Sequence, residues 1–207
     1  ADVEENLDNN VETNSTLAIQ KLLFEHPLYQ YAEDNESDIN ILVVGFGNYG
    51  QKFLDAVLQV GQMRNKYLNV MVISDDVTDK QLYISARPAL AQFFNIDGSI
   101  ADSETSYGSV TFSVASLERK NLAANEEILQ TLTLNHYESS PLHYIFIALG
   151  DDLLNRSAAN ACLDVIDVLE RKCTISYVCE SSVSDEHSDS MTPVFVRGEI
   201  YETPFYN

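Results

Sequence analysis

The feature that most constrains this chain is a short apolar run that ends in a spaced set of glycines. Ile39-Asn40-Ile41-Leu42-Val43-Val44 leads directly into Gly45-Phe46-Gly47-Asn48-Tyr49-Gly50. Six mostly aliphatic residues closed by glycine read as a buried parallel strand. Beyond the glycines, Phe53, Leu54, Val57, Leu58 and Gly61 recur at three and four, which predicts a helix over residues 51–62. Strand, GxGxxG turn and helix in immediate succession are the setting in which these glycines have a physical role. Gly45 permits the tight turn, Gly47 lets the backbone approach a pyrophosphate with no Cβ in the way, and Gly50 lets the helix pack close to the strand. Backbone N–H groups at the helix start, reinforced by the helix dipole, offer positive partial charge to phosphates. Phe46, Asn48 and Tyr49 complete this candidate phosphate loop.

The rest of the chain alternates in the same way. Further strands are predicted over residues 68–73, 110–114, 143–149 and 173–179, and a sixth over 195–201. Helical patterns fall at 125–134 and 154–172, with a partly helical stretch at 79–94 around Pro88. A short amphipathic helix starts at Ser15, capped by Asn14 or Ser15, and Pro27 marks the break after it. Residues 33–38 read as a polar linker, and residues 98–108 as a polar loop. Alternation of this kind predicts an α/β fold: a doubly wound, mostly parallel sheet in a Rossmann-like three-layer arrangement. The expected organisation is an acidic lead with a short helix over 1–38, the nucleotide-binding unit over 39–183, and an acidic loop with an extra edge strand over 184–207.

The second predicted strand closes on Ser74-Asp75-Asp76. A carboxylate at that point accepts hydrogen bonds from the ribose hydroxyls of an adenosine and repels a 2′-phosphate. Asp75 or Asp76 is therefore the candidate ribose acid, and NAD(H), ATP or AMP is favoured over NADP(H). Asp75 stands 25 residues past Gly50, against roughly 20 in the usual pattern, and residues 62–67 look like a short insertion that delays it. The fourth predicted strand ends in Leu149-Gly150-Asp151-Asp152 and leads to Asn155 at a helix start. Leu149, Gly150 and Asp151 would border the crevice opposite the glycine loop. A compatible alternative is that Asp152 or Asn155 caps the next helix.

Composition removes several other classes. With 12 Lys and Arg against 32 Asp and Glu, the formal net charge is −20, so phosphate backbones are repelled and a nucleic-acid partner is not expected. The three cysteines, Cys162, Cys173 and Cys179, include no CxxC pair; they fit a reducing cytosol rather than a disulfide or zinc framework, and Cys162 and Cys179, in apolar helix and strand patterns, read as buried packing. The four histidines form no HExxH spacing, and no GxSxG elbow occurs. His143, at a strand start, reads as a surface or edge histidine. The chain opens on Ala1, which suggests a domain taken from a larger protein.

The stretch Val43 to Gly50, the strand ending at Asp75-Asp76, and Ile147-Ala148-Leu149-Gly150-Asp151-Asp152-Leu153-Leu154-Asn155 together resemble the TrkA-N domain. This is the nucleotide-binding half of RCK domains, which regulate potassium transporters and channels. The resemblance covers residues 39 to about 180. It implies a cytoplasmic sensor rather than a catalyst, one that binds NAD(H) or an adenine nucleotide and passes its state through homodimer contacts to an effector or membrane partner. No second ligand-binding half is visible, and residues 76–108 are not typical of the family. Two enzyme alternatives stand beside this: an NAD-dependent oxidoreductase with its substrate domain elsewhere, and an adenylating enzyme. The second rests on a weaker resemblance to ThiF-like proteins, which implies a phosphate-contacting role for Arg156; their double-glycine loop is absent.

Overall fold

The apolar runs pair into a single seven-stranded sheet in which every neighbouring pair is parallel. The computed structural model describes residues 15–34, 38–63, 65–98, 106–137, 140–169, 173–179 and 194–197. Along the chain these form α1 (15–25), α2 (Tyr29–Asp34), β1 (Ile39–Val44), α3 (Asn48–Val60), β2 (Leu68–Ser74), α4 (Asp79–Ala86), α5 (Leu90–Phe93) and β3 (Phe94–Ile96). They continue through β4 (Gly108–Val114), α6 (Leu122–Tyr137), β5 (Tyr144–Ile147), α7 (Asp152–Val168), β6 (Thr174–Val178) and β7 (Val194–Arg197). The spatial order is β3-β4-β2-β1-β5-β6-β7. Without the three-residue β3, the remaining six strands follow the 3-2-1-4-5-6 order of the doubly wound Rossmann sheet.

The side-chain alternation of β1 shows why the sheet is covered twice. Ile41 and Val43 join one core with Phe53, Leu54 and Val57 of α3. Leu42 and Val44 join a second core with Leu129 of α6 and Ala158, Cys162 and Ile166 of α7. Successive residues of a strand point to opposite faces, so a strand buried on both is nearly all apolar, and the one polar residue of β1, Asn40, donates through its side chain to the Pro141 carbonyl at 2.7 Å. Phe53 stacks on Phe146 of β5 with ring centroids 4.2 Å apart, which fixes α3 over the β1–β5 pair. Residues 15–34 belong to the same core through Ile19, Leu22, Leu28 and Tyr31, and the Tyr31 hydroxyl is hydrogen-bonded to Thr174 Oγ1 at the start of β6.

Two expectations need correction and one is refined. Residues 33 and 34 of the expected linker close α2, a helix that begins two residues after Pro27. The stretch 79–94 divides into α4 and α5 and then feeds β3, which pairs with the first three residues of β4. Arg87 locks this excursion to α3 through a two-pronged bond to Asp55, at 2.7 and 2.6 Å. His143 is buried rather than a surface residue, because its Nδ1 accepts the Asn40 N–H at 3.0 Å and so continues the β1–β5 ladder by one side chain. The acidic lead before residue 15, most of the 98–108 loop and the acidic loop before β7 lie outside the described residues.

Candidate functional site

In this strand order the chain leaves β1 for β2 on one side, while β5 lies on the other. The sheet therefore opens a crevice at the carboxyl ends of β1 and β5, the switch point at which such folds take ligands. A cavity of about 820 Å³ occupies it, within the roughly 300–1,000 Å³ of small-molecule sites. Of the sequence-predicted residues, Gly45, Phe46, Gly47, Asn48, Tyr49, Asp75, Leu149, Gly150 and Asp151 all line it.

The three loop glycines do three different things. Gly45 has φ +91°, and a Cβ there would stand 2.2 Å from the Ala148 carbonyl oxygen at the end of β5. Gly50 does not line the cavity; a Cβ there would meet the Gly45 carbonyl oxygen at 2.1 Å, so its small size lets α3 settle against the turn. Gly47 is the N-cap of α3 at an ordinary φ of −68°, and a Cβ there would meet nothing within 4 Å. No side chain caps α3, so its first N–H groups are left without a side-chain partner at the crevice, the kind of helix end that is able to hold an anion. The loop is braced from behind by Gln51, whose Nε2 donates to the Phe46 carbonyl at 3.1 Å. Phe46 contributes backbone only: its ring is buried edge-on against Tyr83 and Phe112, with centroids 5.1 and 5.3 Å away.

The two acids after β2 separate cleanly. Asp76 does not line the crevice; its Oδ1 accepts the Thr78 backbone N–H at 2.7 Å and the Thr78 hydroxyl at 2.8 Å. The backbone bond and then the hydroxyl bond hold the Asp76 carboxyl below its usual range. Asp75 is exposed and reaches the crevice. Its lateness matches the connection between α3, which ends at Val60, and β2, which begins at Leu68, where Asn65 stands at φ +62°.

Across the crevice, Asp151 rather than Asp152 or Asn155 caps α7, accepting the Leu154 N–H at 3.0 Å. Its second oxygen takes an ion pair from Arg119, at 3.1 Å, in the connection between β4 and α6. Asn155 is 1% exposed, and its amide bridges two strand ends. The Oδ1 accepts the Leu149 N–H at 2.6 Å, and the Nδ2 donates to the Val178 carbonyl at 2.7 Å. The Arg119–Asp151 pair is exposed on the arginine side, so Arg119→Ala is expected to cost no more than about 0.5 kcal/mol. Asp151→Ala removes a helix cap and is expected to cost about 1 kcal/mol. Urea unfolding of the two variants checks this ranking; equal losses would mean that the ion pair, not the cap, is what Asp151 supplies.

Sequence reasoning missed Arg119, and it raised Arg156 only through a weak resemblance; both line the crevice. The strand order supplies the signal for Arg119, since the connection after β4 opens at the same carboxyl edge. The cysteines are packing: all three are buried, and burial pushes the Cys162 thiol up to about 12 and the Cys173 thiol well up. Among the described residues no group of three or more His, Cys, Asp or Glu is placed to hold a metal ion. Comparison with protein-family models, with curated proteins and with solved structures finds no match for this chain.

Proposed function

We propose that this chain is a nucleotide-binding regulatory domain of TrkA-N type, taking NAD(H) or an adenine nucleotide in the switch-point crevice. The observation that carries the reading is the conjunction of an uncapped α3 start behind Gly47 with Asp75 on the β2 side of the same cavity. The helix end suits phosphates, and the carboxylate suits a ribose with both hydroxyls unmodified. Sensing is favoured over catalysis because Asp151, a carboxylate at the crevice, is committed to a helix cap and an ion pair. Among the described residues no helix is long and apolar enough to cross a membrane. The working picture is a cytoplasmic domain that acts as a homodimer on an effector, with a potassium-transport protein as the partner that the resemblance implies.

Titration calorimetry with NAD⁺, NADH, ATP and AMP tests the reading, and no heat from any of the four at millimolar concentration overturns it. Within that series Asp75→Ala is expected to lower adenine-nucleotide affinity about tenfold, the loss of one charged hydrogen-bonding partner. It should also narrow the gap to 2′-phosphorylated NADP⁺. Asp76→Ala should leave both affinities unchanged, since its carboxylate is turned onto Thr78; a loss there equal to that of Asp75→Ala would reassign the ribose acid.

A further inference from the structure

At the amino edge of the sheet, the end remote from the crevice, the strand face turned toward α6 and α7 changes character. Further along, that face carries Leu42 and Met71; at the edge it carries Asn40, Asn69 and Ser109. Asn40 is in register with Asn69, and Asn69 with Ser109, so the three stand in a row across neighbouring strands. The row is bonded in one direction. Ser109 Oγ donates to Asn69 Oδ1 at 2.8 Å, Asn69 Nδ2 to Asn40 Oδ1 at 3.2 Å, and Asn40 Nδ2 to the Pro141 carbonyl at 2.7 Å. Both carboxamides are thereby held in one orientation, with one Nδ2 hydrogen of Asn69 and a lone pair on each amide oxygen left over. A cavity of about 250 Å³ lies against the row, walled also by Thr111 of β4, His136 in the last turn of α6 and Ser140. The Thr111 hydroxyl and the His136 imidazole make no hydrogen bond among the described residues. A strand covered on both faces is ordinarily apolar at such positions, and half-buried polar groups are costly there unless they find partners.

The walls say what such a cavity suits. In a chain with 32 Asp and Glu, no carboxylate lines it, so a metal cation finds no ligand set. No lysine or arginine lines it either, and α6 brings its carbonyl end, which disfavours anions. Burial holds the His136 imidazole below its ordinary value, toward the neutral form. What the walls offer is donors and acceptors side by side, the pattern that a hydroxyl satisfies by giving one hydrogen and accepting others. We propose that this cavity is a second ligand site, for a neutral polyol of monosaccharide size or smaller. Neighbouring strands lie about 4.8 Å apart, close to the separation of 1,3-related equatorial hydroxyls on a six-membered ring. Adjacent members of the row therefore match one such pair, and Thr111 and His136 supply further contacts. The cavity lies below the roughly 300–1,000 Å³ of drug-sized sites and is too small for a nucleotide. The site stands independently of the nucleotide reading, at the far end of the strands that carry the glycine loop and Asp75.

The test is an amide NMR titration of the whole chain with myo-inositol, D-glucose and glycerol in turn, and with inorganic phosphate and calcium chloride as charged probes. At least one polyol is expected to give saturable shifts of the Asn40 and Asn69 side-chain amides, with a dissociation constant in the millimolar range or tighter. Thr111→Val keeps the shape of the side chain and removes its hydroxyl, so it should weaken that binding roughly fivefold, the loss of one neutral hydrogen bond. His136→Phe should weaken it to a similar extent. Absence of any saturable shift with all three polyols at tens of millimolar overturns the site, and so does a polyol affinity that is the same in the wild type and both variants. Phosphate or calcium that moves these resonances where the polyols do not overturns the neutral-ligand assignment. The dispersion of each spectrum shows whether a variant is folded, and if one is not, the other carries the comparison. The crevice is probed separately by the nucleotides, so loss of the polyol site leaves the nucleotide reading standing.

Discussion

Gly45→Ala is expected to destabilise the fold by about 2–5 kcal/mol, whereas Gly47→Ala, two residues away, should leave stability within about 0.5 kcal/mol. The difference comes from what each Cβ would meet. At Gly45 the backbone sits at φ +91°, where an L side chain costs roughly 1–2 kcal/mol. Its methyl would also stand 2.2 Å from the Ala148 carbonyl oxygen. That oxygen cannot yield easily, because its neighbourhood is tied on both sides: Gly45 N–H donates to Ile73 at 2.9 Å, and Ala148 N–H donates to Val44 at 2.8 Å. Relief would have to part β1 from β5 at the crevice floor, and overpacking of that sort adds about 1–3 kcal/mol. Such a sum is a large share of the roughly 5–15 kcal/mol that holds an ordinary domain together. Gly47 has an unremarkable φ of −68° and open space where its Cβ would be. The methyl it gains projects toward the crevice, so nucleotide affinity should fall about tenfold with the unfolding midpoint unmoved. Guanidinium unfolding paired with calorimetry reads both quantities. A Gly45→Ala variant within 1 kcal/mol of wild type would refute the close approach, and a Gly47→Ala variant that binds normally would place the phosphates elsewhere.

These glycines also show why part of the molecule was legible in the sequence. A parallel strand covered on both faces is apolar at nearly every position, and β1, the end of β2 and β5 read directly as such runs. The glycine loop could be placed because its neighbours in sequence are its neighbours in space. Short elements escaped the same reading: β3 is three residues, Phe94-Asn95-Ile96, too few to establish a period, and α2 is six. The boundary of α3 moved forward to Asn48 because the glycine loop turns into helix before its apolar stripe begins. Asp75 and Asp76 are equivalent as letters, and only the turn onto Thr78 separates them. Arg119 lies 69 positions after Gly50 in an unpatterned polar connection, and it becomes a neighbour of Asp151 only through the strand order.

The opposite wall of the crevice depends on one side chain that the sequence suggested only as a helix cap. Asn155→Ala is expected to cost about 2–5 kcal/mol, more than the roughly 1 kcal/mol of Asp151→Ala, the true cap. A cap satisfies one donor at a solvated helix end. Asn155 instead satisfies a donor just past β5, the Leu149 N–H, and an acceptor at the end of β6, the Val178 carbonyl, while itself 1% exposed. Past Ile147 and Tyr177, the last paired residues of β5 and β6, the Asn155 side chain links the two chains. The carboxamide fits that position because it carries its donor and its acceptor on two separate atoms; an ionised aspartate offers acceptors alone, and a serine offers both only from one oxygen on a shorter side chain. Removing it leaves a backbone N–H and a carbonyl unsatisfied beside the cavity, and loosens Leu149 and Gly150, which line the crevice. Two measurements should therefore move together: the unfolding free energy, and hydrogen-exchange protection at the Leu149 amide, lost locally even well below the unfolding midpoint. If Asn155→Ala costs no more than Asp151→Ala and the Leu149 amide stays protected, the crevice wall is held by the helix dipole and the packing of α7 alone, and the bridge between β5 and β6 is incidental.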